Sequence, residues 1–191
     1  MRAYLDLGSN LEREASLRRA IALLRETFCV TGRSSVYESP AYPPGSGQPN
    51  FYNLAVEVET DREPAELRNL LRGLEARLGR VRTADRYAAR TVDLDLTLWG
   101  DRVERHQDWE IPHPQVASQA FVLVPLAELA PDLVHPTLGL TLSQLRDRMD
   151  VPAGALWRVD FHPDDAEPPL LGGRTPGPPE GPSNLNEWGP S

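Results

Sequence analysis

The chain has 191 residues and a formal net charge of −8, enough for one ordinary domain with a real core and too acidic for general binding to nucleic acid or anionic membranes. All 20 basic residues are arginine, which excludes Schiff-base chemistry, a lysine general base and the P-loop lysine. Any anion must therefore be held locally, by arginine, histidine, backbone amides or a metal.

In chain order, residues 2–8 read as a short strand with Ala3, Leu5 and Leu7 on the buried side, broken by Gly8-Ser9-Asn10. From about Leu11 to Phe28, Leu17, Ala20, Ile21, Leu24 and Phe28 recur at helical spacing. The single cysteine, Cys29, permits no internal disulfide, and in Phe28-Cys29-Val30 it reads as a small buried hydrophobe. Val30 to Ser39 is a second strand, followed by a Pro/Gly-rich segment to Asn50 of the kind that usually forms a functional loop or lid. Phe51 to Glu59 alternates, with Tyr52, Leu54, Val56 and Val58 on one side and Phe51, Asn53, Ala55 and Glu57 on the other.

Pro64 opens a second helix whose stripe is Leu67, Leu70, Leu71, Leu74 and Leu78, which ends at Gly79 and which carries Glu75 at its edge. A strand through Asp93 and Asp95 to Trp99 closes the series, with Val92, Leu94, Leu96 and Leu98 on one face and Asp93, Asp95 and Thr97 on the other. Strand, helix, strand, strand, helix, strand is the order of a ferredoxin-like α+β fold, an antiparallel sheet with flanking helices. Both helices are expected on one face, leaving the other free for Asn53, Asp93 and Asp95. Beyond Gly100, His113-Pro114 opens a helix or turn, Phe121 to Ala130 is apolar but broken by Pro125, and Thr141 caps a short helix through Met149. Residues 1–161 are expected to form the domain and 162–191, rich in proline and glycine, a disordered tail.

The chemistry concentrates at Arg90-Thr91-Val92-Asp93-Leu94-Asp95. Asp93 and Asp95 project from one strand face about 7 Å apart, a spacing of hard oxygen ligands that suits Mg²⁺ completed by water and substrate phosphates. From Arg77 to Arg90 the chain carries Arg77, Arg80, Arg82, Arg86 and Arg90 against a single acid, Asp85. An Asp-x-Asp pair alone often only solvates a sheet, and charged loops are usually solvated too, but together they read as a polyphosphate site. The four histidines, His106, His113, His135 and His162, match no short-range zinc spacing.

Read together, the segments Leu7-Gly8-Ser9-Asn10-Leu11, Tyr37-Glu38-Ser39-Pro40, Phe51-Tyr52-Asn53, Glu75 with Leu78-Gly79-Arg80-Val81-Arg82, Arg86 to Asp95, Ile111-Pro112-His113-Pro114 and Phe121 to Leu126 closely resemble the 6-hydroxymethyl-7,8-dihydropterin pyrophosphokinase family. The resemblance runs from about residue 2 to 150. It implies diphosphate transfer from ATP to 6-hydroxymethyl-7,8-dihydropterin with release of AMP, in folate biosynthesis. It further implies two Mg²⁺ ions on Asp93 and Asp95, with Arg80, Arg82, Arg90 and His113 on the phosphates and Glu75 on the nucleotide side. Phe51 and Phe121 would sandwich the pterin, Asn53 would read its hydrogen-bonding edge, and Tyr42 would join them from the Pro/Gly loop, which with the arginine loop closes over substrates in that family.

The chain departs from the family in carrying Gln119 where an arginine is usual, Thr97 where an aliphatic is customary, and Ala88 for a frequent glycine. Two other readings remain: a palm-type Mg²⁺-dependent nucleotidyltransferase, and a non-catalytic ferredoxin-like module that binds a small anion. The N-terminus has no signal-peptide core and no run of about 18 apolar residues occurs, so a soluble cytoplasmic protein is expected, with neither nucleic acid nor membrane as partner; a monomer is expected too, though no sequence feature discloses the oligomeric state.

Overall fold

The computed structural model describes residues 1–41, 45–80 and 89–165. Tyr42, Arg82, Arg86, Ala88 and residues 166–191 of the expected tail lie outside the described residues.

Eight strands and four α-helices are described: β1 (Arg2–Ser9), α1 (Arg13–Thr27), β2 (Cys29–Arg33), β3 (Tyr37–Ser39), β4 (Phe51–Glu59), α2 (Pro64–Arg77), β5 (Asp93–Trp99), β6 (Glu104–Arg105), β7 (Glu110–Ile111), α3 (Ala120–Leu129), α4 (Leu142–Arg148) and β8 (Trp157–Arg158), with a 3₁₀ turn at Pro114–Ala117. The main sheet runs β5-β1-β4-β3-β8, with β2 also on β4, and its pairings are antiparallel. Its β5-β1-β4-β2/β3 centre, with α1 and α2 as crossovers, is the ferredoxin-like α+β arrangement.

The principal core lies between the sheet and these two helices. Ala3, Leu5 and Leu7 of β1, Leu54, Val56 and Val58 of β4, and Leu94 and Leu96 of β5 meet Leu17, Ile21 and Leu24 of α1 and Leu67, Leu71 and Leu74 of α2. The helix ends follow their local chemistry. Pro64 fills the first turn of α2, where its missing N–H costs nothing, and Gly79 at φ 83° ends that segment in the left-handed region that glycine tolerates. Thr141 and Gln144 form a reciprocal capping box on α4.

The structure departs from the sequence reading in several places. Val30 to Ser39 is not one strand but β2 and β3. Between them the Ser34 hydroxyl accepts the Ala55 N–H at 2.9 Å, a side chain taking the place of a ladder carbonyl. Cys29 is exposed at the start of β2 rather than buried.

The third departure lies in β5. Its pairing with β1 shifts between Tyr4 and Leu5, so that Tyr4 faces Leu98 and Leu5 faces Leu96. The bulged residue, Thr97, donates its hydroxyl to the Tyr4 carbonyl at 2.7 Å, and past it Leu98 changes face.

The fourth follows from the third. The sheet face opposite α1 and α2 is not free, because Tyr4, Ala55 and Leu98 form a second core there with Val116, Val122, Leu123, Leu126, Ala127 and Leu142. This covering includes α3, which continues through Pro125. Small sheet residues let the helix approach: a Cβ on Gly32 would lie 3.0 Å from Leu129 Cδ1. Only the half of this face beyond Asp6 stays open, and the polar groups line it.

Candidate active site

Strand register builds the site. Gly8 of β1 lies opposite Asn53 on one side and Asp93 on the other, and Asp6 lies opposite Ala55 and Asp95. Side chains two apart in a strand share a face, so Asp6, Gly8, Asn53, Phe51, Asp93 and Asp95 open on one surface. At its centre Gly8 leaves a gap: a Cβ there would stand 3.6 Å from Asn53 Oδ1, 3.6 Å from Phe51 Cδ1 and 3.9 Å from Asp93 Cβ.

Two cavities meet over this row. The first, of about 570 Å³, is lined by Phe51, Asn53, Asp6, Gln119 and Phe121, with Asp93, Asp95 and His113 at its edge. The second, of about 630 Å³, shares Asp93, Asp95 and His113 and is otherwise lined by Arg68, Arg72, Arg80, Arg105, His106 and Trp109 among others. Phe51, Phe121 and the Asn53 amide thus lie on one side of the carboxylates together with Arg90, and Arg68, Arg72, Arg80 and Arg105 lie on the other.

Asn53 is buried, and its amide nitrogen donates to Ser39 Oγ at 3.0 Å and to the Tyr37 carbonyl at 3.3 Å. The β3 contacts therefore fix the amide so that Oδ1 turns toward the gap over Gly8. Phe51 and Phe121 are half-buried, and the Arg90 guanidinium lies 5.9 Å from the Phe51 ring centre.

Asp93 is ion-paired to Arg80 and, at 2.7 Å, to Arg90. Burial alone would raise the Asp93 pKa, but Arg80 and Arg90 hold it below the ordinary carboxylate value. Burial opposes the charge on Arg80, yet Asp93, Glu75 and Asp95 raise its pKa further. His113 caps the 3₁₀ turn, and its Nδ1 accepts the Gln115 N–H at 3.4 Å, which leaves Nε2 as the protonated nitrogen in this tautomer. Burial pushes the His113 pKa down against the pull of Asp93 and Glu110, which favours the neutral ring.

Glu75 is 1% exposed. Its Oε1 accepts the Leu94 N–H at 2.9 Å and pairs with Arg80. In this structure it anchors α2 to β5 and orients Arg80.

Two further residues have no signal in the linear sequence. Asn10 Oδ1 accepts the Arg90 N–H at 2.7 Å, while the Asn10 and Leu11 N–H groups donate to the Arg90 carbonyl, each at 3.2 Å. The turn after β1 thus clamps the end of the arginine segment, a contact spanning 80 residues. Asp6 is the other, a carboxyl on the site face that is 8% exposed. Tyr42 and Arg82 lie outside the described residues, so the structure brings together Arg80, Arg90, Asp93, Asp95, His113, Phe51, Asn53 and Phe121 of the expected set, with Glu75 behind them.

No helix among the described residues is long and apolar enough to cross a membrane. In fold the chain is similar to a crystal structure of wild-type Plasmodium falciparum HPPK-DHPS with pteroate, at a TM-score of 0.60, 16% identity, and coverage of 77% of this chain and 42% of that one. In sequence it is 42% identical over 126 residues to a 2-amino-4-hydroxy-6-hydroxymethyldihydropteridine pyrophosphokinase of Synechocystis sp., a match covering 66% of this chain and 62% of the relative. A protein of the same description from Bacillus subtilis is 42% identical over 131 residues, covering 66% of this chain and 77% of the relative. The chain thus spans less than two thirds of the Synechocystis protein and more than two thirds of the Bacillus one. The family model for 7,8-dihydro-6-hydroxymethylpterin-pyrophosphokinase matches residues 4–131, and with the carboxylate row, the paired cavities and the ferredoxin-like sheet all falling within that span, the chain belongs to this family.

Proposed function

We propose that this chain transfers the terminal diphosphate of ATP to 6-hydroxymethyl-7,8-dihydropterin and releases AMP, a step of folate biosynthesis. The observation that carries the reading is the meeting of an aromatic, amide-lined cavity and an arginine-lined cavity at Asp93 and Asp95. A flat heterocycle fits between Phe51 and Phe121 with Asn53 Oδ1 at its edge, and a triphosphate fits beside Arg80, Arg90 and His113. The reacting atoms then come together where both cavities are open to the carboxylates.

The donor set suits Mg²⁺. Asp93 and Asp95 present hard oxygens from one face, which fits an ion that takes one or two carboxylates and draws its remaining ligands from water and phosphate. Two Mg²⁺ ions on Asp93 and Asp95 are part of the proposal. When bound, they neutralise charge on the phosphate oxygens.

The protein's own groups position and neutralise. Without substrate, Arg80 and Arg90 are satisfied by Asp93. With nucleotide and cation present, the Arg80 and Arg90 guanidiniums would serve phosphate oxygens and the Asp93 carboxylate the cation, while Glu75 keeps its hold on Arg80. The neutral His113 donates from Nε2 to a phosphate oxygen. Phe51 and Phe121 hold the hydroxymethyl oxygen in line with the β-phosphorus, where orientation rather than covalent help lowers the barrier. By the family resemblance, Arg82 and Tyr42, which lie outside the described residues, would serve the phosphate and the pterin respectively.

The test is incubation with ATP, Mg²⁺ and the pterin alcohol, with product analysis. AMP and a diphosphorylated pterin in equal amounts are expected. Release of inorganic diphosphate would mean nucleotidyl transfer instead, and unchanged ATP would reject catalysis.

A further inference from the structure

Asp6 has no part in the function proposed above. It occupies the open half of the sheet face, directly opposite Asp95 and diagonal to Asp93, and it lines the aromatic cavity. The residue is 8% exposed, and its Oδ1 is buried with no hydrogen-bond partner among the described residues. Its strand neighbours offer nothing to an anion: Ala55 lies on one side, Gly8 comes next along the face, and Asp95 and Asp93 occupy the other side. Arg80 and Arg90 are turned to Asp93.

A buried, unpartnered carboxyl is destabilising. The carboxyl therefore has room for a partner in the cavity that it lines, next to two carboxylates whose negative charge favours a cation there. Mg²⁺ takes one or two protein carboxylates and keeps several waters, so a third carboxylate beside Asp93 and Asp95 contributes one shell out, on those waters.

The geometry points to Asp6 as a positioning residue of the divalent-cation site, a third carboxylate that accepts hydrogen bonds from cation-bound water and so orients the ion carried by Asp93 and Asp95. This inference rests on the proposed cation site at those two residues. Outer carboxylates of this kind typically alter metal affinity about 10–100-fold.

The test is titration of the full chain with Mn²⁺, followed by electron paramagnetic resonance, in the presence of a non-hydrolysable ATP analogue. Wild type is compared with Asp6→Ala, Asp6→Asn and Asp95→Asn. Asp6→Ala is expected to weaken Mn²⁺ binding about 10–100-fold. Asp6→Asn should fall between it and wild type, since its amide oxygen still accepts from water but carries no charge, and its near-identical shape keeps the test valid if the alanine variant fails to fold. Affinity for the analogue without cation should be unchanged in both.

Mn²⁺ affinity within twofold of wild type in both Asp6 variants, alongside loss in Asp95→Asn, would overturn the inference and leave the cation site standing. Wild-type affinity in Asp95→Asn would instead reject the cation site itself. Equal loss of analogue affinity without cation would show that Asp6 acts on the pocket's shape, and would also overturn the inference.

Discussion

Glu75→Ala tests whether the buried glutamate is an anchor of the metal strand. The Leu94 N–H donates to Glu75 Oε1 at 2.9 Å, and the same oxygen pairs with Arg80. Removing the carboxylate orphans a buried N–H, at a cost of about 1–3 kcal/mol. Breaking a buried ion pair costs about 3–5 kcal/mol when the remaining charge has no other partner, but Arg80 keeps Asp93, so only part of that applies. The sum is about 2–4 kcal/mol, or a fall in Tm of roughly 5–15 °C for a chain of this size. Glu75→Gln keeps an acceptor for Leu94 and loses only the charge, so it should cost about 1–2 kcal/mol.

The assays for this pair are urea denaturation and amide hydrogen exchange at Leu94. The Leu94 amide should lose protection in the alanine variant and keep most of it in the glutamine variant. Both variants should raise KM for ATP, because Arg80 loses one of the groups that aim it. Equal destabilisation by the two substitutions would refute the anchoring role of the Leu94 hydrogen bond, and a change under about 0.5 kcal/mol in both would refute the reasoning altogether.

Phe121→Ala should weaken pterin binding roughly 10–100-fold, the loss of about 1–3 kcal/mol of stacking and burial, with little change for ATP; calorimetry that finds equal losses for both ligands would count against the sandwich. Gly8→Ala should fold normally, since its methyl meets only ordinary contacts of 3.6 Å or more, yet it fills the centre of the carboxylate row and should raise KM for the pterin far more than it alters Tm. Glu128 accepts Ser35 N–H at 3.0 Å, Ser35 Oγ at 2.7 Å and Tyr37 Oη at 2.7 Å. Burial raises its pKa, but these hydrogen bonds, with Arg158, lower it on balance. Its stabilisation is therefore present above the unfolded carboxyl value of about 4.3 and disappears as pH falls through the lower folded value. Glu128→Gln should cost about 1 kcal/mol at pH 7, discounted for the exposure of the carboxylate, and the gap to wild type in urea melts should close below about pH 4.

Alternation and helical stripes made β1, β4, α1 and α2 legible, because each of these elements buries one face and exposes another, which is the pattern that periodicity detects. Asp93 and Asp95 were legible as a pair for the same reason. Periodicity carries no information about pairing partners, so it could not show that Asn10 holds Arg90 or that Glu75 bonds Leu94. A charged residue four positions after Leu71 reads as the edge of a stripe; that it closes inward depends on the unsatisfied N–H of a strand 19 residues away. Pro125 was a breaker by its local chemistry, yet α3 continues past it, held by burial of Val122, Leu123 and Leu126 against the sheet.

The bulge at Thr97 explains why the site occupies only half of its face. With strict alternation Leu98 would join Leu96 in the principal core, and Asp93, Asp95 and Thr97 would form one polar line along the whole strand. The shift between Tyr4 and Leu5 sends Leu98 across the sheet to Tyr4 and Ala55, where the three give α3 an apolar bed. Phe121, near the start of that helix, is thereby carried to the cavity that Phe51 and Asn53 line. Because a one-residue slip exchanges the faces of everything beyond it, the bulge has to lie on the far side of Asp6 from Asp93, as it does. On the near side it would have turned one carboxylate into the core and parted it from the other.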